Sequence, residues 1–170
     1  MPTEIETRVL RMLSAVEVPP GTARVIEDLG NEAVTAACAI ALGDLAGVEG
    51  RVRATAVALL GWMSHPQARE TVPMLIDDPD PDIAARALRA AGRQHNDAVV
   101  PTMSAMLRRE DLSPVLAAET VDALRTIGGS AAEAALDEYQ QATPEALPHR
   151  GSNVVGLYLS GGPAGRPSPD

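Results

Sequence analysis

The chain has no phenylalanine and no lysine, and it has one tryptophan, two tyrosines and one cysteine. With so few aromatics, any core must be filled by Ala, Leu, Val, Ile and Met. Small side chains let helices approach closely, which suits flat layers of stacked hairpins better than a globule around one large centre. Without lysine there is no Schiff-base lysine, no P-loop lysine and no Ser–Lys dyad. All 14 basic residues are arginines, and an Ala- and Arg-rich, Lys-free composition hints at a GC-rich bacterial genome. The single cysteine, Cys38, excludes intrachain disulfides and cysteine-rich zinc sites, and is compatible with a reducing cytoplasm. No apolar run approaches the roughly 20 residues of a membrane span. Glu4, Glu6, Arg8 and Arg11 interrupt the N-terminal apolar positions, so this stretch does not read as a signal peptide. The net charge of −9 repels phosphate backbones and argues against nucleic acid as the main partner.

What is present is a repeat. Val52, Ala56, Val57, Leu60 and Gly61 recur 31 residues later as Ile83, Ala87, Leu88, Ala91 and Gly92. A further offset of 33 carries Ile83, Ala87, Leu88 and Ala91 onto Leu116, Thr120, Val121 and Leu124. The spacing i, i+4, i+5, i+8 is one face of an α-helix. A helix apolar on one face needs a like neighbour, and a period near thirty residues with two helices per period predicts a stacked solenoid. The expected fold class is all-α: a right-handed α-solenoid of about four helical hairpins plus a closing helix, with a non-helical C-terminal tail. Thr3/Glu6, Ser64/Gln67 and Ser130/Glu133 read as capping boxes. Asn31, Asp82, Asn96 or Asp97, and Ser113 read as single caps, with Pro66 and Pro114 in first turns. Val72, Leu75 and Ile76 extend one buried helix from Pro66. Cys38 falls in the apolar stripe of the third helix and reads as a small buried residue.

The division is 1–142 for the solenoid and 143–170 for the tail, where proline and glycine forbid regular helix. Within the tail, Val154, Val155, Leu157, Tyr158 and Leu159 form an apolar segment over 154–159 of β character. Such a run is rare in disordered tails. It is expected to dock on a helical surface, either its own or that of a second copy, and the latter would make a homodimer.

The stretch Pro79-Asp80-Pro81-Asp82-Ile83-Ala84-Ala85-Arg86-Ala87-Leu88-Arg89-Ala90-Ala91-Gly92 resembles the short HEAT-like repeat of the phycobilisome-lyase type. An Asp-Pro turn, a β-branched residue, then an Ala-rich helix with Arg and a late Gly carry the likeness. Arg51-Val52-Arg53-Ala54 and Ala58-Leu59-Leu60-Gly61 repeat it. The likeness covers residues 31–128 well and 3–30 weakly. It implies a non-catalytic, cytoplasmic scaffold or adaptor that binds a protein or peptide along its concave face. The alternative it allows is an accessory factor or unusual enzyme acting on a small molecule or pigment held in the groove. A DNA glycosylase on this fold would need a basic channel and aromatics near the base, which an acidic, aromatic-poor chain does not offer.

Six residues stand out as binding candidates. Trp62 occupies a position where later repeats carry Arg93 and Thr126; a tryptophan there is either covered by a neighbouring segment or used as a contact anchor. Arg86, Arg89 and Arg93 share a helix and form either an anion patch or surface ion pairs. His65 and His95 follow the second helix of successive repeats; the spacing fixes no third ligand, so no metal is assigned. Asp77, Asp78, Asp80 and Asp82 lack the glycine and distant glutamate of a calcium loop and read as turn residues. No nucleophile elbow, zinc-protease motif or glycine-rich phosphate loop is present. No catalytic residue and no cofactor are therefore assigned, and neither nucleic acid nor membrane is expected as a partner.

Overall fold

The computed structural model describes residues 3–15 and 17–143. Residues 144–170, and with them the apolar segment 154–159, lie outside the described residues. Those described form nine α-helices and two 3₁₀ turns: α1 Glu4–Leu13, α2 Gly21–Asp28, α3 Asn31–Leu42, α4 Gly50–Leu60, α5 Pro66–Thr71 continued by the turn Val72–Leu75, α6 Pro81–Arg93, the turn Asp97–Val99 leading into α7 Val100–Leu107, α8 Pro114–Ile127 and α9 Gly129–Ala142. No helix among them is long and apolar enough to cross a membrane.

The repeat dictates the packing. The helices that carry the shared stripe, α4, α6 and α8, stack on one another as one layer. In the other layer α3 packs on α5 and α7 packs on α9, while α9 also closes against α8. This is an α-solenoid, and its core is the seam between the layers. Val52, Ala56, Val57 and Leu60 of α4, and Ile83, Ala87, Leu88 and Ala91 of α6, are all at most 3% exposed. The N-terminal pair stacks on the next one, with α1 and α2 each packed on α3 and α4. Their amphipathic faces cap the end of the stack.

Proline and capping chemistry set the helix ends. Thr3 and Glu6 form the capping box read from sequence, and Ser113 caps α8 through the Leu116 amide. Elsewhere the capping residue differs from the expectation. His65, rather than Ser64, caps α5 by accepting from the Gln67 amide, because the Gln67 side chain is taken by Thr35 Oγ1. Asp80, rather than Asp82, caps α6. Gly30 and Gly128 occupy the N-cap positions of α3 and α9, so Asn31 and Ser130 do not cap. Asn96 stands ahead of the turn Asp97–Val99, yet its buried amide donates to the Arg69 carbonyl across the repeat at 2.9 Å. The helix begun at Pro66 tightens into a 3₁₀ turn from Val72, since Pro73 brings no amide and its ring clashes with the preceding turn. Its buried set of Ala68, Val72, Leu75 and Ile76 survives the change.

Candidate functional site

The solvent-exposed side of the α4–α6–α8 layer carries the candidate site. Along α4 and the turn that follows it, Arg51, Thr55, Ala58 and Trp62 follow the helical spacing i, i+4, i+7, i+11 and so share one side. Trp62 is 50% exposed although its neighbours Gly61 and Met63 are buried. Its repeat equivalent in α6, Arg93, places the guanidinium carbon 4.8 Å from the ring centroid, in cation–π geometry. Trp62 also forms a wall shared by two cavities. The first, about 190 Å³, lies between α4, the α1–α2 connection and α6, with Val18, Pro20, Ala58 and Leu59 as apolar lining and Arg51 and Arg86 as the charges. The second, about 520 Å³, is lined by Ser64, Arg69, Arg93 and Gln94 beside Trp62.

The arginines are held in place by the ends of the elements around them. Arg51 donates through both terminal nitrogens to the Ser14 and Ala15 carbonyls at 3.2 Å, just past α1. Arg69 does the same for the Gln94 and His95 carbonyls beyond α6, at 2.7 and 3.0 Å. Both satisfy carbonyls that the helix itself leaves unpaired. Arg86 pairs with Asp82 one turn back, at 2.9 Å. Arg89 reaches across to Glu119 of α8, Nε to carboxylate at 2.8 Å. Of the trio singled out on α6, Arg86 and Arg89 are thus in ion pairs, while Arg93 stacks on Trp62. The two histidines do not come together in a metal set, and among the described residues no three His, Cys, Asp or Glu side chains form one. His65 Nδ1 accepts from the Gln67 amide, which leaves the proton on Nε2 to be donated to Asn31 Oδ1 at 3.2 Å. His95 sits in the left-handed region at φ 45°, and its carbonyl is one of the two bound by Arg69.

The acidic turn is fully used: Asp77 pairs with Arg109, Asp78 with Arg53, Asp80 caps α6 and Asp82 holds Arg86. Cys38 is 2% exposed. Burial pushes its thiol up, and the Thr71 hydrogen bond does not offset this, so it is an unreactive packing residue.

The family model for HEAT repeats matches residues 45–125. The chain carries HEAT-like repeats. The matched segment runs from just before α4 into the last turn of α8 and contains Trp62, His65, Arg86, Arg89, Arg93 and His95. No curated protein matches the chain. HEAT repeats are stacked helical hairpins whose long surfaces commonly mediate protein interactions. Two site residues, Arg51 and Arg69, escaped the reading of the sequence. Arg51 was recoverable from helical spacing, since it lies on the Trp62 face of its own helix. Arg69 was not, because it comes from α5 and reaches the site only through the fold.

Proposed function

We propose that the protein is a non-catalytic HEAT-like scaffold that holds a protein or peptide partner on the solvent-exposed side of α4, α6 and α8, with Trp62 as the anchor. The observation that supports this is the half-exposed indole at the junction of two cavities. A tryptophan buries more area than any other side chain at little rotamer cost, and it dominates interfaces when it meets a pocket. Local packing of Trp62 accounts for the Arg93 contact but leaves the residue half exposed. A row of three repeat-equivalent positions, Trp62, Arg93 and Thr126, runs across the layer, so an extended partner can lie along it.

A photo-crosslinking amino acid at Asp122, an exposed position on the same face of α8, tests this in the native host. The expected result is a discrete crosslinked partner that is lost when Trp62→Ala is added. The same probe at Met74, exposed on the α5 side, is expected to give none. Crosslinks that persist in Trp62→Ala, or that arise chiefly at Met74, overturn the assignment of this face.

A further inference from the structure

The chain has 23 acidic side chains against 14 basic ones, yet the charged residues lining the two cavities beside Trp62 are Arg51, Arg86, Arg69 and Arg93, with no carboxylate among them. Three carboxylates around this region are engaged. Asp82 is on Arg86, Asp97 lies 3.8 Å from Arg69, and Glu27 accepts from the Ser64 and His65 amides at 2.6 and 2.9 Å. Two of the four arginines are thus ion-paired, while Arg51 and Arg93 have no carboxylate partner among the described residues and face the single tryptophan of an anionic surface as the open cations of this collar. The cations are also fixed in advance. Arg51 and Arg69 are tethered to helix-end carbonyls, Arg86 to Asp82, and Arg93 lies over the indole. A guanidinium held this way keeps donors for a further anion and loses little freedom when it binds one.

From this we infer that the partner segment is an acidic peptide with a large apolar residue at its centre. The inference rests on the assignment of this face as the binding face. The apolar side chain enters the smaller cavity against Trp62, Val18 and Leu59. Carboxylates on either side of it meet Arg51 and Arg86 in one direction, and Arg93 and Arg69 in the other. A short peptide suits the site better than a nucleic acid does. Its few carboxylates fall within the collar, whereas a long polyanion runs out over a surface of net charge −9.

Trp62 is the only tryptophan, so its fluorescence reports on the site directly. The full chain is titrated with blocked peptides carrying a Leu-Leu pair between two Asp/Glu flanks. Three counterparts accompany it: acids replaced by Gln and Asn, acids replaced by Arg, and leucines replaced by Ser. The acidic leucine peptide is expected to give a saturable emission change, with affinity at least about tenfold above the other three. Its affinity should fall as NaCl is raised. Arg86→Gln with Arg93→Gln should weaken it by about tenfold or more, while Arg108→Gln, between α7 and α9, should leave it unchanged. Equal binding of the Gln/Asn peptide or of the serine peptide overturns the inference, as does tighter binding of a single-stranded thymidine oligonucleotide. So does the lack of any response, and the salt series on the unaltered chain decides the matter even where a variant folds poorly. The crosslinking at Asp122 is independent of peptide charge. Its success beside a failed titration removes the acidic peptide and keeps the face, and its failure removes both.

Discussion

A Cβ built on Gly61 would lie 2.7 Å from the Ala90 Cα and 2.9 Å from its Cβ. The α4 and α6 backbones meet at this point with no room for a methyl group. The equivalent glycine one repeat on, Gly92, is different: a Cβ there would meet Ala123 Cα and Thr126 Cβ at 3.5 Å, an ordinary contact. Two glycines that look alike in the repeat therefore carry different loads. Gly61→Ala should destabilise the protein by about 1–3 kcal/mol through overpacking, with Tm falling about 2–4 °C per kcal/mol. Gly92→Ala, inside α6 and without a clash, should be neutral or gain up to about 1 kcal/mol of helix propensity. Thermal unfolding of the two variants side by side checks the pair, and equal losses would contradict the packing of α4 on α6.

Between elements, arginine provides the ties. Arg53 of α4 donates its Nε to the Ala41 carbonyl in the last turn of α3 at 2.9 Å and grips Asp78, in the turn before α6. One planar fork thus joins three elements, which a lysine's point charge would not do. The Asp78 side chain is 9% exposed and that of Arg53 22% exposed. Burial pushes the Asp78 carboxyl up, but the Arg53 hydrogen bond, the Asp80 amide and the Arg53 charge together outweigh it and hold the group below its ordinary 3.8. A carboxyl lowered in the folded state contributes stability above the unfolded pKa of about 3.9, and that contribution fades as pH falls through the lower folded value. Asp78→Asn should therefore cost about 1–3 kcal/mol at pH 7, and the gap to the parent chain should narrow as pH drops below about 4. Denaturant unfolding at pH 7 and pH 3 measures both quantities. A gap that widens in acid would show that Asp78 is not the anionic partner of Arg53.

For the molecule as a whole, successive repeats are pinned at their edges as well as packed at their seam. Arg109 holds Asp77, Arg89 holds Glu119 and Arg108 holds Glu138, each joining residues 30 or 32 apart in sequence. Individually such exposed pairs contribute little. The same charge distribution bears on partners. A net charge of −9 with one local arginine collar should give no tight binding to duplex DNA at near-physiological salt. Mobility shifts that reveal sub-micromolar affinity would instead make the solvent-exposed side of α6 a phosphate-binding surface.

Periodicity determined the architecture. The 31- and 33-residue offsets follow from the need of each one-sided helix to bury its stripe, so the helices, their order and the buried set could be read before any coordinate. Local chemistry was legible where a single interaction decides, as at Thr3, Glu6 and Ser113. It failed where a side chain had a tertiary competitor. Gln67 was drawn to Thr35, Asn31 to His65 and Asn96 to the Arg69 carbonyl, so the caps passed to other residues or to glycine. Trp62 was marked by its break with the repeat pattern, and Arg86 and Arg93 by sharing one helix. The completion of the collar by Arg51 and Arg69 depended on where α1 and α6 end. Which of two equivalent glycines is indispensable was likewise set by the fold, since close approach is a property of two backbones and neither sequence segment contains it alone.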